Sequence, residues 1–306
     1  MTDRAVLLIA FGGPTSRGDV RPFLDNVLRG RRVPPDRVEA VVQHYELIGG
    51  CSPLTALTFR QARALEAELR AAGPPLPVYV GMRNWTPYLS ETLERMTADG
   101  VARAIAVVMA PQRNDASWER YARDVAAAQA RIGPHAPEVD YVETWHAHPL
   151  FIEAVSEGVA AVLEQIPAAR RRTTAVVFTA HSIPTAMVNA PAYVEQITEA
   201  ARLVAERVGH RRWLIAYQSR SGGSHEAWLE PDICDVISQL ACQGVGDVVV
   251  VPVGFVCDHV EVLYDLDVEA RRVAGERGVN FLRAATVNDH PAFIRMLADV
   301  VRRRLR

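Results

Sequence analysis

Asp258, Glu261, Asp265 and Glu269 recur at intervals of three, four and four, a spacing that puts all four carboxylates on one side of a helix. Val262, Leu263 and Leu266 fall on the neighbouring side. Such a row is either the solvated face of an amphipathic helix or a line of proton or cation sites, since like charges four apart repel unless a proton or cation relieves them. The residues before it bear on the choice. Val248 to Val251 form a β-branched run without alternation, punctuated by Gly254, which suits a parallel strand buried on both faces. An acidic row that starts where a central strand ends stands at the usual ligand crevice of an open α/β sheet.

The elements that must position this row can be read along the chain. Strands are expected at Ala5 to Ala10, Val78 to Val80, Ala104 to Met109, Thr174 to Thr179, Trp213 to Ala216 and Asp247 to Val253, with weaker ones at Val139 to Val142 and Asn280 to Leu282. Stretches at helical period lie between them, among them Ala56 to Ala72, Pro87 to Ala98 and Tyr193 to Val208. Alternating strands and helices imply parallel sheets. The chain also repeats itself: AVLLIAFGGP near the start is echoed by AVVFTAHSIP from Ala175, and ERMTADGVARAIAVVMAP by SQLACQGVGDVVVVPVGF. The order and separation are kept, which predicts an α/β fold of two similar Rossmann-like halves, each a parallel sheet flanked by helices. The halves are expected at about residues 3–150 and 151–306, with the second repeat beginning after the arginine-rich stretch that follows Pro167.

The repeat register sets His181 opposite Phe11, both at strand ends. It also sends His181 and Glu261 out of two strands of the same half, on the expectation that strands one and four flank the switch point of a doubly wound sheet. A neutral imidazole facing a carboxylate suits Fe(II), Zn(II), Co(II) or Mn(II). Two donors hold a metal loosely, which fits a site that hands its metal on, and a carboxylate row behind them could move protons or cations. A core or capping histidine is the alternative for His181 alone.

Composition excludes several classes. All 34 basic residues are Arg, so a Lys Schiff base, a pyridoxal phosphate anchor and a Walker lysine are ruled out. The net charge of -2 leaves no broad basic footprint, and no nucleic-acid partner is expected. Cys51, Cys234, Cys242 and Cys257 are scattered without metal-module spacing, as in a reducing cytosol. MTDRAVLLIAF lacks a signal-peptide layout, and the apolar run from Val248 to Cys257 is too short for a membrane span. A cytoplasmic monomer is expected. Phe11-Gly-Gly-Pro is neither G-x-G-x-x-G nor a Walker loop, and Leu28-Arg-Gly-Arg-Arg-Val is a short basic cluster suited to carboxylates or phosphates. His181-Ser182 lacks the G-x-S-x-G context of a serine hydrolase.

Taken together, the chain resembles the ferrochelatase family, whose members insert ferrous iron into a porphyrin. The resemblance rests on Phe11-Gly-Gly-Pro, Tyr45 through Gly49-Gly50-Cys51-Ser52-Pro53, Gly81-Met-Arg-Asn-Trp85, Ala180-His181-Ser182-Ile-Pro184, Tyr217-Gln-Ser-Arg220, Trp228-Leu-Glu-Pro231 and the run from Val253 to Asp265, and it covers nearly the whole chain. It implies a chelatase-like fold and a lyase of heme biosynthesis. His181 and Glu261 would be the catalytic and metal-site pair, Asp265 and Glu269 would continue an acidic path, and Phe11, Arg29, Tyr45, Ser52 and Tyr121 would line the porphyrin cleft. Phe11 stands where some members carry a Tyr that ligates product iron. Fe(II) enters as substrate, no prosthetic group is implied, and a C-terminus reading ADVVRRRLR gives no cysteines for the [2Fe-2S] cluster of some relatives.

Within the family, Arg29-Gly-Arg31 and Gly81-Met-Arg-Asn-Trp85 are similar to the branch that uses coproporphyrin III. That substrate carries four propionates where protoporphyrin IX has two, and Arg29 and Arg31 are candidates to meet them. The alternatives are protoporphyrin IX as substrate, or a non-catalytic tetrapyrrole or metal-binding protein on the same scaffold.

Overall fold

In the computed structural model, residues 3–30, 33–115, 117–221 and 226–305 are described. Eight strands form, in chain order β1 (Arg4–Ala10), β2 (Val78–Met82), β3 (Arg103–Val108), β4 (Glu138–Tyr141), β5 (Ala175–His181), β6 (Trp213–Gln218), β7 (Asp247–Val251) and β8 (Asn280–Arg283). The helices are α1 (Val20–Val27), α2 (Pro35–Leu47), α3 (Leu54–Ala72), α4 (Leu89–Ala98), α5 (Trp118–Ile132), α6 (Pro149–Glu164), α7 (Ala168–Arg171), α8 (Ala190–Arg207), α9 (Ile233–Cys242), α10 (Val260–Leu263), α11 (Arg271–Glu276) and α12 (Pro291–Leu305). Each strand predicted from the sequence is present.

The strands make two four-stranded parallel sheets, ordered β2-β1-β3-β4 and β6-β5-β7-β8. Both follow one topology, so the two Rossmann-like halves are borne out. One detail differs from expectation: the strand beside β5 is the third of its half, β7, with β8 outside it. The crossover through the short π and α segments after β7 reaches only the outer edge. The two compact units are Met1–Ala110 with Ala116–Thr144 and Asn288–Arg306, and Pro111–Asp115 with Trp145–Val287. A cut at residue 150 differs from this chiefly at the C-terminus, where α12 packs on α3 of the first unit. Arg60 of α3 grips Asp289 at 2.5 Å and Arg302 of α12 donates to the Gly73 carbonyl at 2.9 Å.

In the first unit Ala5, Leu7 and Ile9 share one face of β1 and pack with Leu93 and Met96 of α4 and Val125 of α5, as period-two side chains of a doubly covered strand do. In the second, Val177, Val248 and Val250 pack with Ile233, Val236 and Ile237 of α9, and with Val262, Leu266 and Ala270. The apolar side of the segment carrying the acidic row is therefore sunk into the core, and its carboxylates are held at a fixed place above the sheet.

The repeat is visible at the level of single bonds. α4 and α9 both end in a glycine with positive φ, +78° at Gly100 and +76° at Gly244. The next residue donates back five positions, Val101 to Met96 at 2.9 Å and Val245 to Leu240 at 3.0 Å, a helix-ending turn that only a residue without Cβ adopts cheaply. No helix among the described residues is long and apolar enough to cross a membrane.

Candidate active site

His181 is the last residue of β5, paired in register with Gln218 at the end of β6. Next to it β7 stops at Val251, because Pro252 has no N–H to continue the ladder. The Val253 N–H turns back to the Val251 carbonyl at 2.8 Å, and Gly254 resumes pairing by donating to Thr179 of β5 at 3.1 Å. Gly254 lies so close to β5 that a Cβ there would sit 2.7 Å from the Cβ of Ala180. The chain thus leaves β7 tightly against the strand that delivers His181, and seven residues later presents Glu261.

The imidazole Nε2 of His181 lies 3.6 Å from Glu261 Oε1, and each side chain is 31% exposed. The His181 Nδ1–H donates to the Ser182 carbonyl, so the nitrogen left to exchange a proton is Nε2, the one that faces Glu261. Tyr193 supports the strand end by donating its hydroxyl to the His181 carbonyl at 3.1 Å. On the other side of Glu261, His259 sets Nε2 3.3 Å from Oε2 and Nδ1 3.0 Å from the Cys257 carbonyl. Both partners are acceptors, so both ring nitrogens serve them only as N–H, and His259 is favoured as an imidazolium. Burial opposes that charge, but the Glu261 carboxylate outweighs it and raises the His259 pKa. Burial likewise pushes the Glu261 carboxyl up, and the charges of His181 and His259 with the His259 hydrogen bond overcome it, holding the group at about 2. Gln218 adds a side-chain N–H to the Glu261 carbonyl.

Behind the pair the helix changes pitch. Asp265–Ala270 is a π-helical segment, with the Glu269 N–H reaching the Tyr264 carbonyl five residues back at 2.9 Å. Such segments interrupt α-helices frequently at functional sites. Asp265 accepts a hydrogen bond from Ser219. Burial, with the like charges of Glu261 and Glu269, pushes its carboxyl up to about 8, against the Ser219 bond. Glu269 is also raised, by burial and then by Asp232. An ionised carboxylate therefore stands beside one that holds its proton at neutral pH, the arrangement needed for a proton relay.

Asp258 departs from the expected row. The helix begins only at Val260, and the Asp258 carboxylate is taken by Arg283 at 3.2 Å and Thr286 at 3.0 Å. Arg283 arrives from β8 and also holds Asp267 at 2.8 Å, so Asp258 is neutralised before it can join Glu261.

All five residues expected along the porphyrin cleft belong to the first unit, and Phe11, Tyr45 and Ser52 gather near the end of β1, the last two buried. Phe11, just past β1 and 37% exposed, meets Phe23 edge-on at 6.1 Å, and Phe23 meets Tyr45 and Trp85 at 6.2 Å each. Ser52 is buried against the Gly13 turn, donating its N–H to Pro14 at 2.8 Å. Arg29 is exposed beyond α1, its guanidinium held by the Asn26 amide oxygen at 2.6 Å. Tyr121 instead lies in the core with Met96 and Val125, because α5 turns that side of itself toward the sheet. Arg31 lies outside the described residues. Phe23, His259, Ser219 and Asn26 had no sequence-level assignment. His259 alone carried a signal, as an ionisable group two residues before Glu261. No group of three or more His, Cys, Asp or Glu able to hold a metal occurs among the described residues, so His181 and Glu261 stand as a two-donor pair.

Two parallel sheets of this order, each flanked by helices and with an imidazole–carboxylate pair at one strand exit, define a chelatase-type protein. The solved sirohydrochlorin chelatase SirB from Bacillus subtilis subspecies spizizenii, in complex with cobalt, matches with a TM-score of 0.59 over 98% of this chain and 94% of its own, at 12% identity. The ferrochelatase family model matches residues 3–305. The coproporphyrin III ferrochelatase of Nocardia farcinica is 44% identical over 100% of this chain and 89% of its own length, and that of Mycolicibacterium smegmatis 41% identical over 98% and 89%. The chain belongs to the ferrochelatase family, enzymes of the lyase class that act on Fe(II) and a porphyrin.

Proposed function

We propose that this protein inserts Fe(II) into coproporphyrin III during heme biosynthesis in the cytoplasm, with His181 and Glu261 as the residues that meet the reacting centre. The observation that carries the reading is the His181–Glu261 pair at 3.6 Å, each side chain about a third exposed, backed by a carboxyl that holds a proton. Metallation removes two pyrrole protons while hydrated iron sheds water. His181 Nε2 is the nitrogen placed to take up such a proton or, when unprotonated, to meet iron. Glu261, kept ionised between two imidazoles, balances the positive charge at that point. Asp265 and Glu269 lead protons away along the row.

Coproporphyrin III is favoured over protoporphyrin IX by the names of the relatives at 41–44% identity and by Arg29, an exposed guanidinium suited to a propionate. Anaerobic mixing of the enzyme with Fe(II) and each porphyrin, followed by absorbance, tests the assignment. Faster metallation of coproporphyrin III is expected, and His181→Ala or Glu261→Gln should lower the rate roughly 100-fold or more, the usual worth of a proton-transferring group. Faster metallation of protoporphyrin IX would replace the substrate. Failure with both would leave a tetrapyrrole-binding protein, and full activity of His181→Ala would remove the pair from the chemistry.

A further inference from the structure

A second polar cavity lies at the opposite end of β5 from His181. It has a volume of about 1060 Å³ and is lined by the C-terminal half of α6, by Arg171 at the end of α7 and Arg172 after it, and by the stretch from Arg207, the last residue of α8, to Arg212 before β6. β5 runs seven residues from Ala175 to His181, so the cavity stands about 20 Å from the imidazole at the strand rise of a β-sheet.

Five arginines line it against two carboxylates, Glu157 and Glu164. How those guanidinium groups are held matters more than their number. Arg171 donates to the carbonyls of Ile166 at 2.8 Å and Glu164 at 3.0 Å, and Arg212 to that of Thr173 at 3.1 Å. Neutral acceptors fix a guanidinium in place without cancelling its charge. Arg207 pairs with Glu153 at 3.0 Å, but neither Arg172 nor Arg211 has an ion-pair partner among the described residues. Positive charge has been gathered and partly oriented with little to neutralise it.

An independent observation points to a ligand. Ser156 of α6 lines the same cavity. It is only 4% exposed, and its buried hydroxyl has no hydrogen-bond partner. A serine inside a helix ordinarily faces water or bonds back to the carbonyl four residues earlier. Ser156 does neither, and a buried hydroxyl left unpaired is costly. A ligand oxygen would satisfy it.

We propose that this cavity binds a small multivalent oxyanion, of the phosphate or polycarboxylate kind, through the Arg171–Arg172 and Arg207–Arg212 segments and the Ser156 hydroxyl. Planar guanidinium forks match the paired oxygens of both kinds. The site is separate from the metal site and does not depend on the porphyrin assignment.

Titration calorimetry of the full chain at low ionic strength, with inorganic tripolyphosphate in one arm and citrate in the other, tests it. One saturable site is expected. Binding of tripolyphosphate alone assigns the phosphate kind, of citrate alone the carboxylate kind, and of both the shared oxyanion chemistry. Arg172→Glu and Arg211→Glu should each weaken binding about tenfold, the worth of one charge-assisted hydrogen bond, while leaving iron insertion unchanged. Arg131→Glu, on α5 of the other unit, should not weaken it. Ser156→Ala should lower affinity without lowering the melting temperature. Absence of saturable binding in both arms, or an equal loss in Arg131→Glu, overturns the proposal.

Discussion

The two halves carry one scaffold and only one of them carries the ionisable site. Their central strands pair in the same register: Val6 opposes Ile105 and Leu8 opposes Val107 in the first sheet, as Val176 opposes Val249 and Phe178 opposes Val251 in the second. They part at the end of the third strand. In the first half the ladder simply continues, Met109 donating to Ile9 at 2.8 Å. In the second, Pro252 interrupts it, one more residue is spent in a tight turn, and Gly254 rejoins at Thr179. Beyond these exits the first chain enters α5, which buries Trp118 and Tyr121, and the second enters the segment that presents Glu261 beside His181. At the matching position of the first half stands Phe11, an aromatic edge. A repeated sheet supplies positions, and a one-residue disturbance at a strand end decides which half turns them into a charged site.

That contrast is broken most directly at Gly254. A Cβ there would meet the Cβ and Cα of Ala180 at 2.7 and 2.8 Å, backbone-anchored atoms that cannot swing aside. Gly254→Ala must push the β7 exit away from β5, at a cost of about 1–3 kcal/mol of overpacking. The same shift moves Glu261 relative to His181, and a displacement near 1 Å is enough to cost roughly 100-fold in rate. The position that aligns with it in the first half is already an alanine, Ala110. Ala110→Gly should cost under about 1 kcal/mol and leave the rate near wild type. Thermal melts and iron-insertion rates on the two variants would show the difference, and equal behaviour would mean that the strand exit is not what separates the halves.

Much of this architecture is legible in the sequence. Valine runs, helical periods and the repeated AVLLIAFGGP pattern predict the strands and the two similar halves because they are local, period-bearing signals, while the place of β7 beside β5 is a tertiary choice. Boundaries slipped where a single bond decides them: β7 stops at Val251 for want of a proline N–H, and β5 runs to His181 because Gln218 pairs with it. His181, Glu261, Asp265 and Glu269 lie together as the spacing and repeat implied. Asp258 does not, since its neutralising partner Arg283 is 25 residues further on, in a different strand. The roles of Ser219 and Tyr193 are not legible for the same reason, since tertiary pairing alone brings them to Asp265 and to the His181 carbonyl. The place of α12 on the first unit rests on Arg60–Asp289 and its packing on α3, contacts that no local pattern encodes.

The second test sharpens the contrast through charge. Asp265 has its carboxyl pushed up to about 8 from a usual value of 3.8. The folded state thus holds a proton that the unfolded chain releases. A raised carboxyl contributes stability that is complete below 3.8 and is lost as pH rises through 8. Asp265→Asn keeps a neutral group at the same place and removes this titration. Urea unfolding at pH 5 and pH 9 should show wild type losing more stability than Asp265→Asn over that interval, by at least about 1.4 kcal/mol, the worth of one pKa unit. His259 also loses its contribution as pH rises; the Asp265 charge is the smallest of the influences on it, so most of that loss is common to both proteins. Identical losses would mean that the acidic row is solvated after all, and that the second half stores no more buried charge than the first.

The smallest effect belongs to the first half, where recognition should replace proton chemistry. Arg29 is exposed, and a free arginine loses rotamer freedom when it meets an anion. Here part of that loss is met in advance. The Asn26 amide oxygen accepts from Arg29 at 2.6 Å, and the Asn26 amide nitrogen donates to the Tyr88 hydroxyl at 2.8 Å and to the Asn84 carbonyl at 3.3 Å. Asn26 is therefore tied at two points to the loop between β2 and α4 and passes that rigidity to the guanidinium. Asn26→Ala leaves the charge of Arg29 in place and releases its orientation. The KM for coproporphyrin III should rise a few-fold, since about 0.5–1.5 kcal/mol is the cost of immobilising one such side chain. The turnover rate should hold, because nothing at His181 or Glu261 has changed. A fall in turnover at constant KM would assign Asn26 to the chemical step instead, and the division between a half that recognises and a half that reacts would fail.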